Sequence, residues 1–149
     1  MSEKVIVRQN KDFQIGFWAV DPAKPDSVNY QPIHSLHEMT PYGMLLISLA
    51  ACTAQVVLVY AQHHGLNLDE VEFRMAYDRV YKEDCEDCEN IDRYEEKVEE
   101  QITFSGNLSQ EDRQNSFQIA HHCPIEKILK QGMDIHSELN LAESESHGL

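Results

Sequence analysis

Hydrophobic positions along this chain form one long uninterrupted run and several short alternating segments. Residues 41–61 contain no charged side chain, and apolar residues occupy most of these positions. A helix that is apolar on all sides is typical of the buried centre of a protein. Thr40 can cap such a helix, Pro41 suits its first position, and Gly65 predicts its end. The pattern therefore predicts a long central helix that is buried on nearly all sides.

The alternating segments have the period of two that is typical of half-buried strands. They cover residues 5–7, 13–20, 71–77 and 94–104, and a last strand is expected over residues 133–141. Residues 21–32 are rich in Pro, Asp, Ser and Asn, which predicts a surface loop between the second strand and the long helix.

Two short helices are predicted in the C-terminal third of the chain. Ser109, with Asp112 three residues later, resembles a capping box that opens a helix to about Ala120. Pro124 is placed to start the second of these helices, and Gly132 to end it.

This order of elements places strands and helices in blocks, which predicts an α+β fold in which an antiparallel sheet wraps the long central helix. A length of 149 residues suits one hydrophobic core. Residues 1–149 are therefore interpreted as a single domain.

The net charge of the chain excludes some classes of binding partner. Twelve Lys and Arg against 26 Asp and Glu give a formal net charge of −14 at pH 7. A surface that binds phosphate groups needs a positive charge, so neither a nucleic-acid partner nor an anionic membrane surface is expected.

The apolar run is long enough to cross a bilayer, but it lacks flanking orienting charges and contains Ser48, Thr53 and Gln55, so no membrane span is expected. The first ten residues lack the pattern of a secretory signal, and we expect a cytoplasmic protein.

Four cysteines in a chain without signs of secretion favour reactive thiols, metal ligands or buried small hydrophobes over a disulfide framework. Cys52 lies in the middle of the long helix, where it either lines a pocket or fills the core as a small hydrophobe. Cys123 occupies the N-cap position of a short helix, where the helix dipole lowers the pKa of a thiol; the alternative is a structural cap. His121 and His122 either assist Cys123 or serve as solvated capping groups.

Two motifs resemble those of the OsmC/Ohr family. The segment from Thr40 to the alanine-rich turn around Cys52 is similar to the central helix of that family, which carries the first redox cysteine. The Cys-Pro pair at Cys123, followed by a short helix and a glycine, is similar to the second cysteine motif. The matching segments cover roughly residues 40–66 and 120–139, in the order that the family has.

The resemblance implies a homodimer of intertwined subunits with active sites at the interface, and a thiol-dependent peroxidase without a cofactor that serves in antioxidant stress response. In that chemistry Cys52 attacks the peroxide, and Cys123 resolves the sulfenic acid as a disulfide that an external thiol or dithiol reduces. The apolar wall of the helix favours organic hydroperoxides as the substrate.

At one position the chain departs from the pattern of the family. In members that act on organic hydroperoxides, a glutamate follows the motif proline and pairs with an arginine that activates the first cysteine, but Tyr42 follows Pro41 here. Glu38 is the candidate to replace that acid, and Arg8 is the candidate arginine. The departure leaves open a non-catalytic member of the same fold that binds an apolar ligand at the dimer interface.

Cys85 and Cys88 form a C-x-x-C in an acidic segment. The spacing suits half of a zinc site or a dithiol, so a zinc-binding interaction protein is a further alternative. The chain has only one such pair, and neighbouring acids raise the pKa of a thiol rather than lower it. We therefore expect a solvated loop without a bound metal.

Overall fold

The computed structural model describes residues 2–81 and 94–141 of the chain. Within these ranges the sequence forms five strands, three α-helices and one 3-10 turn over Leu36–Glu38. The strands are β1 (Ser2–Asn10), β2 (Ile15–Val20), β3 (Tyr30–Pro32), β4 (Asn67–Tyr81) and β5 (Tyr94–Asn107), and the helices are α1 (Pro41–His63), α2 (Gln110–Ala120) and α3 (Pro124–Gln131).

The five strands form one antiparallel sheet in the order β3-β2-β1-β4-β5. Side chains of β1 and β4 alternate between its two faces, and those that point to α1 form the core with it. They include Val5 and Val7 of β1 and Val71, Phe73 and Met75 of β4, each at most 3% exposed. The predicted α+β fold with an antiparallel sheet against the long helix is confirmed.

Helix α1 begins and ends where the sequence predicts. The Thr40 hydroxyl accepts the backbone N–H of Gly43, Pro41 is the first helical residue, and Gly65 turns the chain with a φ of 62°. Leu46, Ala50 and other core residues recur along the face that packs on the sheet.

The opposite face of α1 is not buried by the other described residues, so the prediction of burial on nearly all sides is wrong within residues 2–81 and 94–141. Leu45 is 39% exposed and Val59 is 37% exposed, and Ser48 and Gln55 between them are also exposed. By length and apolarity α1 would also suffice to cross a bilayer, but 50% of its most apolar window is buried inside the fold.

The presence of β3 and the start of β2 differ from the sequence-based prediction. β3 lies inside the predicted loop, because Tyr30 and Pro32 pair with β2 at the edge of the sheet, where a proline is tolerated. The second strand starts at Ile15, because Phe13 has a φ of 62° in the turn before it.

The strand predicted over residues 133–141 is absent: this segment has no regular secondary structure after α3. Its apolar side chains remain on the surface, from 64% exposed at Met133 to 86% at Ile135. Alternation with a period of two indicates that one face of a segment is suited to burial. It does not identify the neighbouring strand with which the segment would pair.

Both short helices confirm their predicted starts. The Ser109 hydroxyl accepts the N–H of Asp112, and the Asp112 carboxylate accepts the N–H of Ser109, which completes the capping box of α2. Arg113 of α2 donates to the backbone carbonyls of Phe104 and Gly106, which fixes the helix to the end of β5. The turn after α2 then directs α3 back onto α1.

Candidate functional site

The site lies where the start of α3 meets the middle of α1. It brings together Cys52, half-buried on α1, and Cys123, which is 1% exposed at the N-cap of α3. The two thiols are close enough to interact. The Cys123 thiol also lies 4.0 Å from the backbone oxygen of Leu49, one helical turn before Cys52. Both cysteines are free thiols.

Local sequence explains why Cys123 reaches α1. α2 ends at His121, and Pro124 starts α3, so only the short turn between them reverses the chain. Ala120 and Cys123 bracket this turn, and both are buried in the core. The small size of both side chains lets the backbone of the turn approach α1 closely.

The N-terminus of α3 acts on Cys52. The Cys123 side chain makes no capping hydrogen bond. The backbone N–H of Ile125, the second residue of α3, interacts with the Cys52 thiol. The unpaired N–H groups and the positive end of the helix dipole therefore stabilise a thiolate on Cys52.

The pKa of the Cys52 thiol is nevertheless above its ordinary value. Burial is the main cause, and contact with Cys123 raises the pKa further, while the Ile125 N–H lowers it. Cys52 is therefore mainly a neutral thiol at neutral pH, and a minor fraction is the reactive thiolate.

Arg8 and Glu38 lie away from the two thiols. Val5 and Val7 point to α1, so Arg8 lies on the outer face of the sheet, where its Nε donates to Glu72 at 2.7 Å. Its guanidinium lies 5.0 Å from the centre of the Trp18 ring. The exposed Glu38 carboxylate accepts the N–H of His34 at 2.9 Å in the turn that precedes α1.

A cluster that the sequence did not reveal surrounds Tyr42, the residue after the motif proline. Its hydroxyl accepts from Nη2 of Arg79 at 2.9 Å, and the same Nη2 lies 3.2 Å from the Glu96 carboxylate. The Tyr42 ring stacks on Tyr77 with a centroid separation of 4.6 Å, and the Tyr94 ring lies 4.7 Å from the Arg79 guanidinium. An arginine is therefore held at the start of α1 by a tyrosine and an acid from β5. The sequence pattern indicated this cluster only weakly, because Arg79 lies beyond the predicted end of its strand.

An apolar groove of about 550 Å³ lies beside α1, and neither cysteine lines it. It is bounded by β2, β3 and the residues before α1, and its apolar lining includes Phe17, Trp18, Ile33, Leu36, Met39 and Ile47. The groove is a concave surface that is separate from the thiol pair.

The proposed zinc half-site at Cys85 and Cys88 lies outside the described residues. Within residues 2–81 and 94–141, no group of three or more His, Cys, Asp or Glu side chains is arranged to hold a metal ion.

Comparison with known proteins agrees with the fold and with the family that the sequence resembles. The family model described as OsmC-like protein matches residues 34–138, which is well over half of the chain. No curated protein sequence matches the chain. The crystal structure of an OsmC-like hydroperoxide resistance protein from Jannaschia sp. CCS1 superposes with a TM-score of 0.59 at 16% identity, over 96% of both chains. The organic hydroperoxide resistance protein OhrB of Bacillus subtilis gives a TM-score of 0.44 at 18% identity, over 89% of this chain and 93% of that one. On the family match, the chain belongs to the OsmC-like protein family.

Proposed function

We propose that this protein is a thiol-dependent peroxidase that reduces organic hydroperoxides through a disulfide between Cys52 and Cys123. The observation that carries the proposal is the contact between the two thiols at the N-terminus of α3. A nucleophilic thiol beside a second thiol has the arrangement needed to form and then resolve a sulfenic acid.

Exposure supports the roles proposed for the two cysteines. Cys52 is half-buried, and Cys123 is 1% exposed, so a substrate meets Cys52 first. The Cys52 thiolate attacks the terminal oxygen of the hydroperoxide, the O–O bond breaks, and the leaving alkoxide takes a proton to become an alcohol. The Ile125 N–H stabilises the thiolate before the attack.

The second step uses Cys123. Its sulfur attacks the sulfur of the Cys52 sulfenic acid, the S–O bond breaks, and water leaves with the thiol proton. The resulting disulfide is reduced by an external thiol or dithiol, which returns both cysteines to the free form. No cofactor takes part in either step.

The surroundings of Cys52 favour an organic substrate. Leu45 and Val59 each lie two turns from Cys52 on the same face of α1, one on either side, and both are partly exposed. An alkyl or aryl group on the peroxide gains contact with this apolar face, whereas hydrogen peroxide has no such group.

The active form in this proposal is a homodimer. The uncharged face of α1 that carries Cys52 is exposed in one subunit, and so are the apolar side chains of residues 133–141. Exposed apolar surface of this kind is typical of a protein interface. A second copy that covers the α1 face also encloses Cys52 and builds the wall of the substrate site.

A second candidate function follows from the apolar groove of about 550 Å³ beside α1. Its size and lining suit a small apolar molecule. Together with the raised pKa of the Cys52 thiol, caused mainly by burial, it favours a ligand-binding member of the fold without turnover.

One experiment separates these functions. Reduced protein is treated with one equivalent of cumene hydroperoxide, quenched by alkylation and mapped as non-reduced peptides. The peroxidase predicts rapid conversion of both thiols to a Cys52–Cys123 disulfide and release of cumyl alcohol. Unmodified thiols after many minutes would support the ligand-binding alternative, and a disulfide between Cys85 and Cys88 alone would contradict both assignments.

A further inference from the structure

We propose that His121 and Glu126 are positioning residues that clamp the turn between α2 and α3 and so set the geometry of the thiol pair. The proposal rests on the proposed function only in that the same two thiols are used. His121 is the C-cap of α2, and Glu126 is the third residue of α3. Nδ1 of His121 lies 3.2 Å from Oε1 of Glu126. The pair therefore spans the turn that contains Cys123.

Contacts on both sides hold the two partners of the clamp in place. The Phe117 ring, one turn earlier on α2, meets the His121 ring edge-on at 5.0 Å. On α3, Nζ of Lys130 lies 2.9 Å from the same Oε1 of Glu126. Burial raises the pKa of Glu126, but the bonds from Lys130 and His121 outweigh it and hold the pKa below its ordinary value. Glu126 is therefore a charged and well-anchored acceptor.

A second acid faces the clamp from the sheet. Glu100 of β5 pairs across the ladder with Met75, a core residue, so both side chains point to the helical side of the sheet. Its Oε2 is buried and has no hydrogen-bond partner among the described residues. Burial and the charge of Glu126 raise the pKa of Glu100, while His121 and Lys130 oppose this. The pKa values of the two carboxyls are therefore displaced in opposite directions.

The clamp matters because both thiol contacts depend on the turn that it spans. Ile125, whose backbone N–H interacts with the Cys52 thiol, directly precedes Glu126. Cys123, which contacts both Cys52 and the Leu49 carbonyl, lies two residues after His121. Loosening the turn moves both groups relative to α1, and a displacement of about 1 Å is enough to change a reaction rate on the order of a hundredfold.

The test measures the stability of the Cys52–Cys123 disulfide in dithiothreitol redox buffer, which requires no peroxide. His121→Gln and Glu126→Gln are each expected to lower the equilibrium constant for disulfide formation about tenfold, since the effective concentration of one thiol near the other falls. The double variant should lose little more than either single variant, because both remove the same interaction. His122→Gln and Lys127→Gln are the matched controls, since they change exposed neighbours on the same turn and helix.

A second readout separates positioning from a simple charge effect. If Glu126 acted on Cys52 only through its negative charge, Glu126→Gln would lower the pKa of the Cys52 thiol. Loosening of the turn weakens the Ile125 N–H bond, so we expect the pKa to rise, as followed by the ultraviolet absorbance of the thiolate.

Each outcome decides the proposal. Disulfide equilibria within twofold of the wild type in both variants, or an equal loss in the controls, would overturn it. A wild-type protein that forms no Cys52–Cys123 disulfide in the buffer would also overturn it. A disulfide that forms in the buffer and depends on the clamp, but does not form with hydroperoxide, supports the clamp and refutes the peroxidase.

Discussion

The backbone N–H of Ile125 interacts with the Cys52 thiol, although Cys123 is the residue that begins this helix. The positive end of α3 thus acts on the thiol of the neighbouring helix, and the N-cap thiol lies 4.0 Å from the Leu49 carbonyl oxygen. In the proposed mechanism, this arrangement gives the attacking cysteine a donor for its negative charge and leaves a buried partner to meet it afterwards.

Removal of that donor should make Cys52 less reactive. Ile125→Pro deletes the N–H at a position of the first helical turn that tolerates proline. A hydrogen bond to a charged group contributes about 1.5–3 kcal/mol, so the rate of Cys52 alkylation at neutral pH should fall at least about tenfold. Ile125→Ala is the control, because it loses similar side-chain packing and keeps the N–H. Equal rates in the two variants would show that the donor does not act on the thiolate.

The raised pKa of Cys52, caused mainly by burial, predicts a steep dependence of reactivity on pH. The thiol is an acid, so a higher pKa means that the thiolate fraction is small at neutral pH and grows about tenfold per pH unit until the pH reaches the pKa. The second-order rate of Cys52 oxidation by hydroperoxide should therefore still rise between about pH 6 and pH 8. Stopped-flow measurement of a rate that is already constant over this range would mean a lowered pKa instead.

A charge on the uncharged face of α1 should separate the subunits. Val59 is 37% exposed and lies two heptads from Leu45, with Cys52 midway between them. We expect Val59→Asp to shift the protein from dimer to monomer in sedimentation velocity at micromolar concentration, because a buried unpaired carboxylate is costly. Val28→Asp, at a loop position that is 89% exposed, is the control and should remain dimeric. Wild-type protein that sediments as a monomer would refute the proposed interface.

Glu3 of β1 is 5% exposed and interacts with Thr40 at the start of α1. Burial raises the pKa of Glu3, and the hydrogen bond with Thr40 lowers it by less. Because the pKa of Glu3 is raised in the folded state, the neutral acid makes a contribution to protein stability that is fully present below the pKa of the unfolded state. This contribution is lost as the pH rises through the pKa of the folded state.

Glu3→Gln imitates the neutral acid and should therefore raise the melting temperature at pH 7, with the gain vanishing below about pH 4. The exposed Glu99→Gln is the control, and it should have little effect at either pH. A lower melting temperature for Glu3→Gln at pH 7 would mean that the N-terminus of α1 stabilises the carboxylate.

The sequence predicted the secondary-structure elements well where interactions between nearby residues determine them. It predicted the site less well, because the site depends on contacts between segments that are distant along the chain. The caps at Thr40 and Ser109 fix helix starts through bonds within a few residues, so their prediction succeeded. The strand over residues 133–141 was wrong, because periodicity does not identify a partner edge. The candidates Arg8 and Glu38 were chosen by position along the chain, but β1 alternation directs Arg8 to the outer face. Arg79 contacts Tyr42 only because β4 extends to Tyr81, which no local pattern indicated.

The most direct test of the account is a comparison of peroxide consumption by Cys52→Ser and Cys123→Ser. Reduced variants receive excess cumene hydroperoxide and no reductant, and both the peroxide consumed and the mass of each cysteine peptide are measured. Cys52→Ser should consume none, because it lacks the attacking thiol. Cys123→Ser should consume about one equivalent rapidly and then oxidise further to the sulfinic acid at Cys52, since no second thiol resolves the sulfenic acid. Equal peroxide consumption by the two variants, with reductant or without it, would contradict the roles that the geometry of the site assigns to the two thiols.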